Sequence, residues 1–205
     1  MEAASATDAA KQQRREEILE AAYAEFAQKG YAGASMEGIA RRARASKETL
    51  YAWFESKGAL FNILVEQRLA GFGTRIVAAG QRDPSPANVL PVMAEDLLRL
   101  ALAVQPLTQG LPEAGEPTLR RIGKTIADRR QGFVNYLNYC RDHGYIAFDD
   151  DPLELASLFV AMAEGEWTLR LGTGMVEEVT DAMIVDHAQR VTRMFLRALS
   201  PAPSL

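Results

Sequence analysis

The residues best suited to chemistry lie in one short run, Lys47-Glu48-Thr49-Leu50-Tyr51-Ala52-Trp53-Phe54. If that run is helical, Leu50 and Phe54 stand one turn apart and face inward, which leaves Lys47, Thr49, Tyr51 and Trp53 outward. An ammonium, two hydroxyls and an indole N–H bond phosphate oxygens well, and a Thr methyl or an aromatic edge can meet a thymine methyl. The set suits positioning on a nucleic-acid backbone with limited base readout. Ser56-Lys57 then opens a further helix, whose free N-terminal N–H groups favour a phosphate. Arg44 just upstream can reach another, while Glu48 opposes phosphate unless it pairs with a cation or accepts from a cytosine amine.

Other chemistries find little support. The chain has two histidines and one cysteine, so neither a nucleophile–His–acid set nor a metal site is expected, and no cofactor is implied. Cys140 has only Arg141 beside it as a cation and reads as a buried structural thiol. Of the 205 residues, 48% are hydrophobic and 24% charged, an ordinary globular balance. No secretory signal or long apolar run is evident, so a soluble cytoplasmic protein without a membrane association is expected. The net charge of −4 excludes attraction to nucleic acid by bulk charge. Residues 35–58 carry a net +2, so the sign asymmetry points to that window.

The elements that must position these groups are all helical. Apolar spacing predicts a helix over Lys11–Lys29, stopped by Gly30. Ser35 and Ser46 are N-caps for two short helices, 36–43 and 47–54, joined by a tight turn, which is helix-turn-helix geometry over about 35–54. Ser56 caps a helix predicted to run from Lys57 to Ala79. Further helices are predicted over 87–104 and 118–143, with 105–117 broken by Pro106, Gly110, Pro112, Gly115 and Pro117. Asp149-Asp150-Asp151-Pro152 opens a helix to about Leu171, and a last helix runs from near Thr180 to near Leu199. The plan is all-α, with about nine helices.

Residues 14–66 resemble the DNA-binding domain of the TetR family of bacterial transcriptional regulators. The matching residues are Arg15, Ile18, Leu19, Ala22, Phe26, Gly30, Tyr31, Ser35, Ile39, Ala40, Ala43, Ser46, Thr49, Leu50, Tyr51, Phe54, Lys57, Leu60 and Leu64. The resemblance implies a three-helix DNA-binding domain, residues 1–56, and a larger helical domain for effector binding and dimerisation, residues 57–205. It implies a homodimer paired through the last two helices and released from a palindromic double-stranded operator by a small-molecule effector. Ser35, Arg44, Ser46, Lys47, Thr49, Tyr51, Trp53 and Lys57 are the expected DNA-binding residues. Two positions depart from the family pattern. Arg44 stands where the turn usually has Gly, and Gly38 stands where an acidic residue is common.

The C-terminal region carries no comparable signature. Phe133, Tyr136, Met162, Glu164 and Trp167, with Glu166 nearby, are candidate effector contacts on helices that the resemblance puts around a cavity. The stretch 152–163 is apolar nearly all round, which predicts burial on more than one side. The alternative to a repressor is a helical adaptor, or a cavity-based binding protein, whose helix-turn-helix no longer binds DNA.

Overall fold

A computed structural model describes residues 2–70, 72–108, 116–173, 175 and 178–199. Among them nine helices follow one another and no strand occurs: α1 (Glu2–Gly33), α2 (Met36–Ala43), α3 (Lys47–Phe54), α4 (Lys57–Ala70), α5 (Thr74–Arg82), α6 (Pro86–Thr108), α7 (Glu116–Asp142), α8 (Pro152–Gly172) and α9 (Asp181–Ala198). No described helix is long and apolar enough to cross a membrane.

The chain divides into two compact units, Met1–Ala70 with Val104–Arg121 and Gly71–Ala103 with Ile122–Leu205. The first unit keeps α4 because that helix closes its core. Leu60, Phe61 and Leu64 are fully buried, and Phe61 meets Phe26 and Tyr31 edge-on at 5.1 and 5.0 Å. Within this unit α1 packs on α2 and α4, and α3 packs on α2 and α4. The first helix begins nine residues earlier than its apolar spacing predicts, because Ala-rich residues 2–10 continue it. Gly30 breaks it as expected, at φ 68°, and the chain resumes one further turn to Gly33.

The second unit is built on α8. Phe159 meets Phe133 of α7 at 5.2 Å and Phe195 of α9 at 4.9 Å, in a core that also holds Leu90, Leu137 and Cys140. The expected acidic cap is present, with the Leu153 N–H donating to Asp151 Oδ1 at 2.9 Å, and Thr180 caps α9. Two expectations are corrected. The helix predicted over 57–79 is two helices, because Gly73 takes φ 96° and caps the start of α5. The break predicted from residue 105 is absent up to Thr108. Pro106 sits in the last turn of α6, so the bond it lacks and the crowding of its ring fall where the helix is about to end. Residues 109–115, the centre of that predicted break, lie outside the described residues.

Candidate nucleic-acid interface

Local chemistry sets both short helices. Ser35 Oγ accepts from the Gly38 N–H at 3.0 Å and starts α2, whose Ile39, Ala40 and Ala43 are buried. Ser46 Oγ accepts from the Thr49 N–H at 3.0 Å and lies 2.9 Å from the Thr49 hydroxyl, starting α3. Leu50 and Phe54 turn inward with at most 1% of their surface exposed. On the opposite side Lys47 is exposed, Tyr51 is 44% exposed, and Thr49 and Trp53 are half-buried. Trp53 rests its ring edge-on against Phe54 at 6.4 Å. A capped, core-anchored helix thus presents an ammonium, two hydroxyls and an indole on one surface.

The other expected contacts have prior engagements. Lys57 donates to the carbonyls of Tyr31 at 2.8 Å and Ala34 at 3.1 Å, and its ammonium lies 4.4 Å from the Tyr31 ring. It closes the end of α1, whose terminal carbonyls attract a cation. The N-terminus of α4 beside it is capped by Ser56, which accepts from the Ala59 N–H at 3.1 Å. Glu48 is held below the usual carboxylate range by its own backbone N–H and by the Ser46 hydroxyl, so it serves the first turn of α3. Arg44 is exposed and adopts φ 50°, ψ 44°, the left-handed conformation that glycine accepts more easily.

The candidate effector residues are not gathered in one place. Phe133 belongs to the core of the second unit, and Tyr136 and Met162 pack partly buried against it. The Tyr136 hydroxyl donates to the Pro84 carbonyl at 2.9 Å. Trp167 joins Leu98 and Ile184 in a smaller cluster, with its indole N–H buried and unpartnered among the described residues. Glu164 is half-buried, and burial pushes its carboxyl up to about 7. A depression of about 230 Å³ does lie between α8 and α9. Of the five candidates only Trp167 lines it, beside Glu166, Arg170, Asp186, His187 and Arg190. Its charges are paired within each helix, Arg170 with Glu166 and Arg190 with Asp186. The His187 Nε2–H faces the carbonyls of Met162 and Ala163 at 3.1 and 3.2 Å. Cys140 is buried, and burial raises its thiol pKa. No group of three or more His, Cys, Asp or Glu fit to hold a metal occurs among the described residues.

Comparison with known proteins decides what the capped pair of helices is. The family described as bacterial regulatory proteins, tetR family, matches residues 18–64, which span the core of α1, both short helices and the start of α4. This N-terminal domain belongs to the TetR family. The HTH-type transcriptional repressor SCO4008 of Streptomyces coelicolor is 48% identical over 52 residues, which are 25% of this chain and 27% of that protein. The match therefore spans about a quarter of the relative's length. Solved structures extend the likeness to the whole fold. The regulator FadR of Bacillus subtilis, in complex with stearoyl-CoA, superposes with a TM-score of 0.73 at 15% identity, covering 90% of this chain and 99% of that one. The TetR-family regulator PfmR of Thermus thermophilus gives 0.68 at 21% identity, covering 88% and 97%.

Both departures from the TetR pattern acquire physical reasons. The turn keeps its left-handed residue although that residue is Arg44, and the carbonyls of Ala43 and Arg44 accept from Arg14 at 2.8 and 2.9 Å. Gly38 faces the buried carboxylate of Glu25, where a Cβ would lie 2.2 Å from Oε1. Neither Arg14 nor Glu25 stands out in the sequence as part of the site. For Glu25 a hint existed in its placement on the apolar side of α1, three residues after Ala22 and one before Phe26.

Proposed function

We propose that this TetR-family chain is a DNA-binding transcriptional repressor, not an enzyme, that acts in the cytoplasm as a homodimer on a near-palindromic operator. The observation that carries the reading is the outward face of α3, where Lys47 and Tyr51 are exposed and Thr49 lies half-buried beside them, on a helix anchored by Leu50 and Phe54. Such a helix enters a major groove, and a dimer places two of them one helical turn of DNA apart. Ser35, Arg44, Ser46 and Trp53 are proposed as flanking contacts, Ser35 through the hydroxyl proton that capping leaves free and Ser46 from the first turn of α3, where its hydroxyl also serves Glu48. Lys57 is proposed to act by neutralising charge near the backbone while it holds the end of α1.

Dimerisation is proposed through α8 and α9. On α8, Leu158, Ala161, Gly165 and Leu169 form an exposed stripe, with Leu158 58% and Leu169 64% exposed, and Met194 of α9 is 56% exposed. The apolar sequence of α8 anticipated a second buried side, and a symmetry mate supplies it. Light scattering should give a dimer mass at micromolar protein. Leu158→Glu should shift it toward the monomer, and a monomeric wild-type chain would refute the proposal.

Release by a small molecule is proposed for the larger unit, with Phe133, Tyr136, Met162, Glu164 and Trp167 as candidate contacts. A ligand acts by binding the DNA-incompetent spacing of the two α3 helices better than the competent one. The repressor name of SCO4008 and the ligand-bound fold of FadR support this mode.

The test is selection of genomic DNA fragments by the purified protein at two salt concentrations. A short inverted repeat whose affinity falls steeply with salt is expected. Lys47→Ala, which removes one cation from each half-site, should reduce the salt slope by about 2, and Tyr51→Ala should weaken binding about tenfold at unchanged slope. Enrichment of nothing by a well-folded dimer would favour the adaptor.

A further inference from the structure

We infer that Arg14 is a positioning residue for the recognition helix, a guanidinium clamp that holds the α2–α3 turn in its left-handed conformation without a glycine. The inference rests on the DNA-binding reading above and adds a residue outside the expected contact set.

The end of α2 has the hydrogen-bond pattern of a Schellman motif. The Ala45 N–H donates to the Ala40 carbonyl at 2.9 Å, the Arg44 N–H donates to the Arg41 carbonyl at 3.3 Å, and the residue between helix and turn is left-handed. In that motif the left-handed position favours glycine, because any Cβ there crowds the backbone. Arg44 holds it nonetheless. The turn also directs the carbonyls of Ala43 and Arg44 away from the helix ladder, so they need a donor from elsewhere. Arg14 Nη2 donates to both, at 2.8 and 2.9 Å, from α1, some thirty residues away. Its Nη1 donates to Glu17 at 2.6 Å, which fixes the plane of the guanidinium. One nitrogen thus ties the two peptide groups that set the angle between α2 and Ser46, the N-cap of α3. The clamp acts on the aim of Lys47, Thr49 and Tyr51 with no DNA contact of its own.

Three properties separate this role from its rivals. A clamp couples to the strain at residue 44, so its loss matters less when that residue is glycine. A phosphate contact at Arg14 would matter equally in both backgrounds and would carry a salt slope. A contribution to stability alone would lower the unfolding temperature without touching affinity in the folded protein.

The experiment measures operator affinity of the full-length chain against salt, at a temperature where circular dichroism shows every variant folded, for wild type, Arg14→Ala, Arg44→Gly and the double variant. Arg14→Ala should weaken binding about tenfold in the Arg44 background and less than about twofold beside Arg44→Gly, with the salt slope unchanged. Glu17→Ala, which frees only the anchor of the guanidinium, should weaken binding about twofold to threefold and keeps the test open if Arg14→Ala does not fold. Hydrogen exchange at the Ala45 amide supplies a reading independent of DNA, and Arg14→Ala should accelerate it. Equal losses in both backgrounds with a reduced slope, unchanged affinity with a lowered unfolding temperature, or unchanged exchange at Ala45 each overturns the clamp. A wild-type chain that binds no operator overturns the repressor reading instead, and the exchange result then judges the clamp by itself.

Discussion

Gly38→Ala should destabilise the N-terminal unit by roughly 2–3 kcal/mol, even though alanine is the better helix former by about 1 kcal/mol. Space under α2 decides the sign. A Cβ at residue 38 would stand 2.2 Å from Glu25 Oε1 and 3.0 Å from its Cδ. A carboxylate at the end of a flexible side chain can move, but this one is 2% exposed and bound to Lys29 at 2.5 Å and Arg42 at 3.4 Å. Displacing it separates a buried charge from its cations, which costs more than the helix gains. The ammonium of Lys29, through its hydrogen bond, holds the Glu25 carboxyl below the usual carboxylate range against the opposing effect of burial. Its folded pKa lies under its unfolded one, so this stabilisation is in place above the ordinary carboxylate range and is lost as pH falls through the lowered value. Thermal unfolding of Gly38→Ala should therefore show its largest deficit near neutrality and a narrower one in acid. In a Glu25→Ala background the same substitution should be neutral or stabilising. A Gly38→Ala chain as stable as wild type would show that Glu25 has room to move.

Gly38 also marks a boundary of what sequence could reveal. Ser35, Ser46, Ser56 and Asp151 were legible as caps because each bonds a backbone N–H two or three residues ahead. Residues whose partners lie far along the chain were not. Lys57 reads as a free cation beside a helix start, yet its acceptors are 23 and 26 residues back. Arg14 reads as surface charge for the same reason. Apolar periodicity failed where it ran through a break. Phe72 and Ile76 keep helical spacing across Gly73, whose left-handed backbone interrupts the helix ahead of α5. In the second unit the same periodicity could not separate a core wall from a cavity wall. Phe133 and Trp167 face apolar neighbours in two different clusters, a distinction that helical spacing does not carry.

Glu164 gives the second unit a pH-dependent stability that falls in the neutral range. It lies half-buried on α8, and burial alone raises its carboxyl to about 7. The folded chain then holds a proton that the unfolded chain releases in the ordinary carboxylate range. Stability from this group is complete below that range and is lost as pH rises toward 7. Each pKa unit corresponds to about 1.4 kcal/mol, so Glu164→Gln, neutral at every pH, should gain on the order of 2–3 kcal/mol at pH 8 and under about 1 kcal/mol at pH 5. Unfolding temperatures of both proteins between pH 5 and pH 8 decide the matter. Parallel pH profiles for the two proteins would mean that the carboxylate is solvated. A gain confined to the alkaline side would establish a carboxyl kept neutral by its surroundings, and any group that charges it must bring a cation or water into the flank of α8.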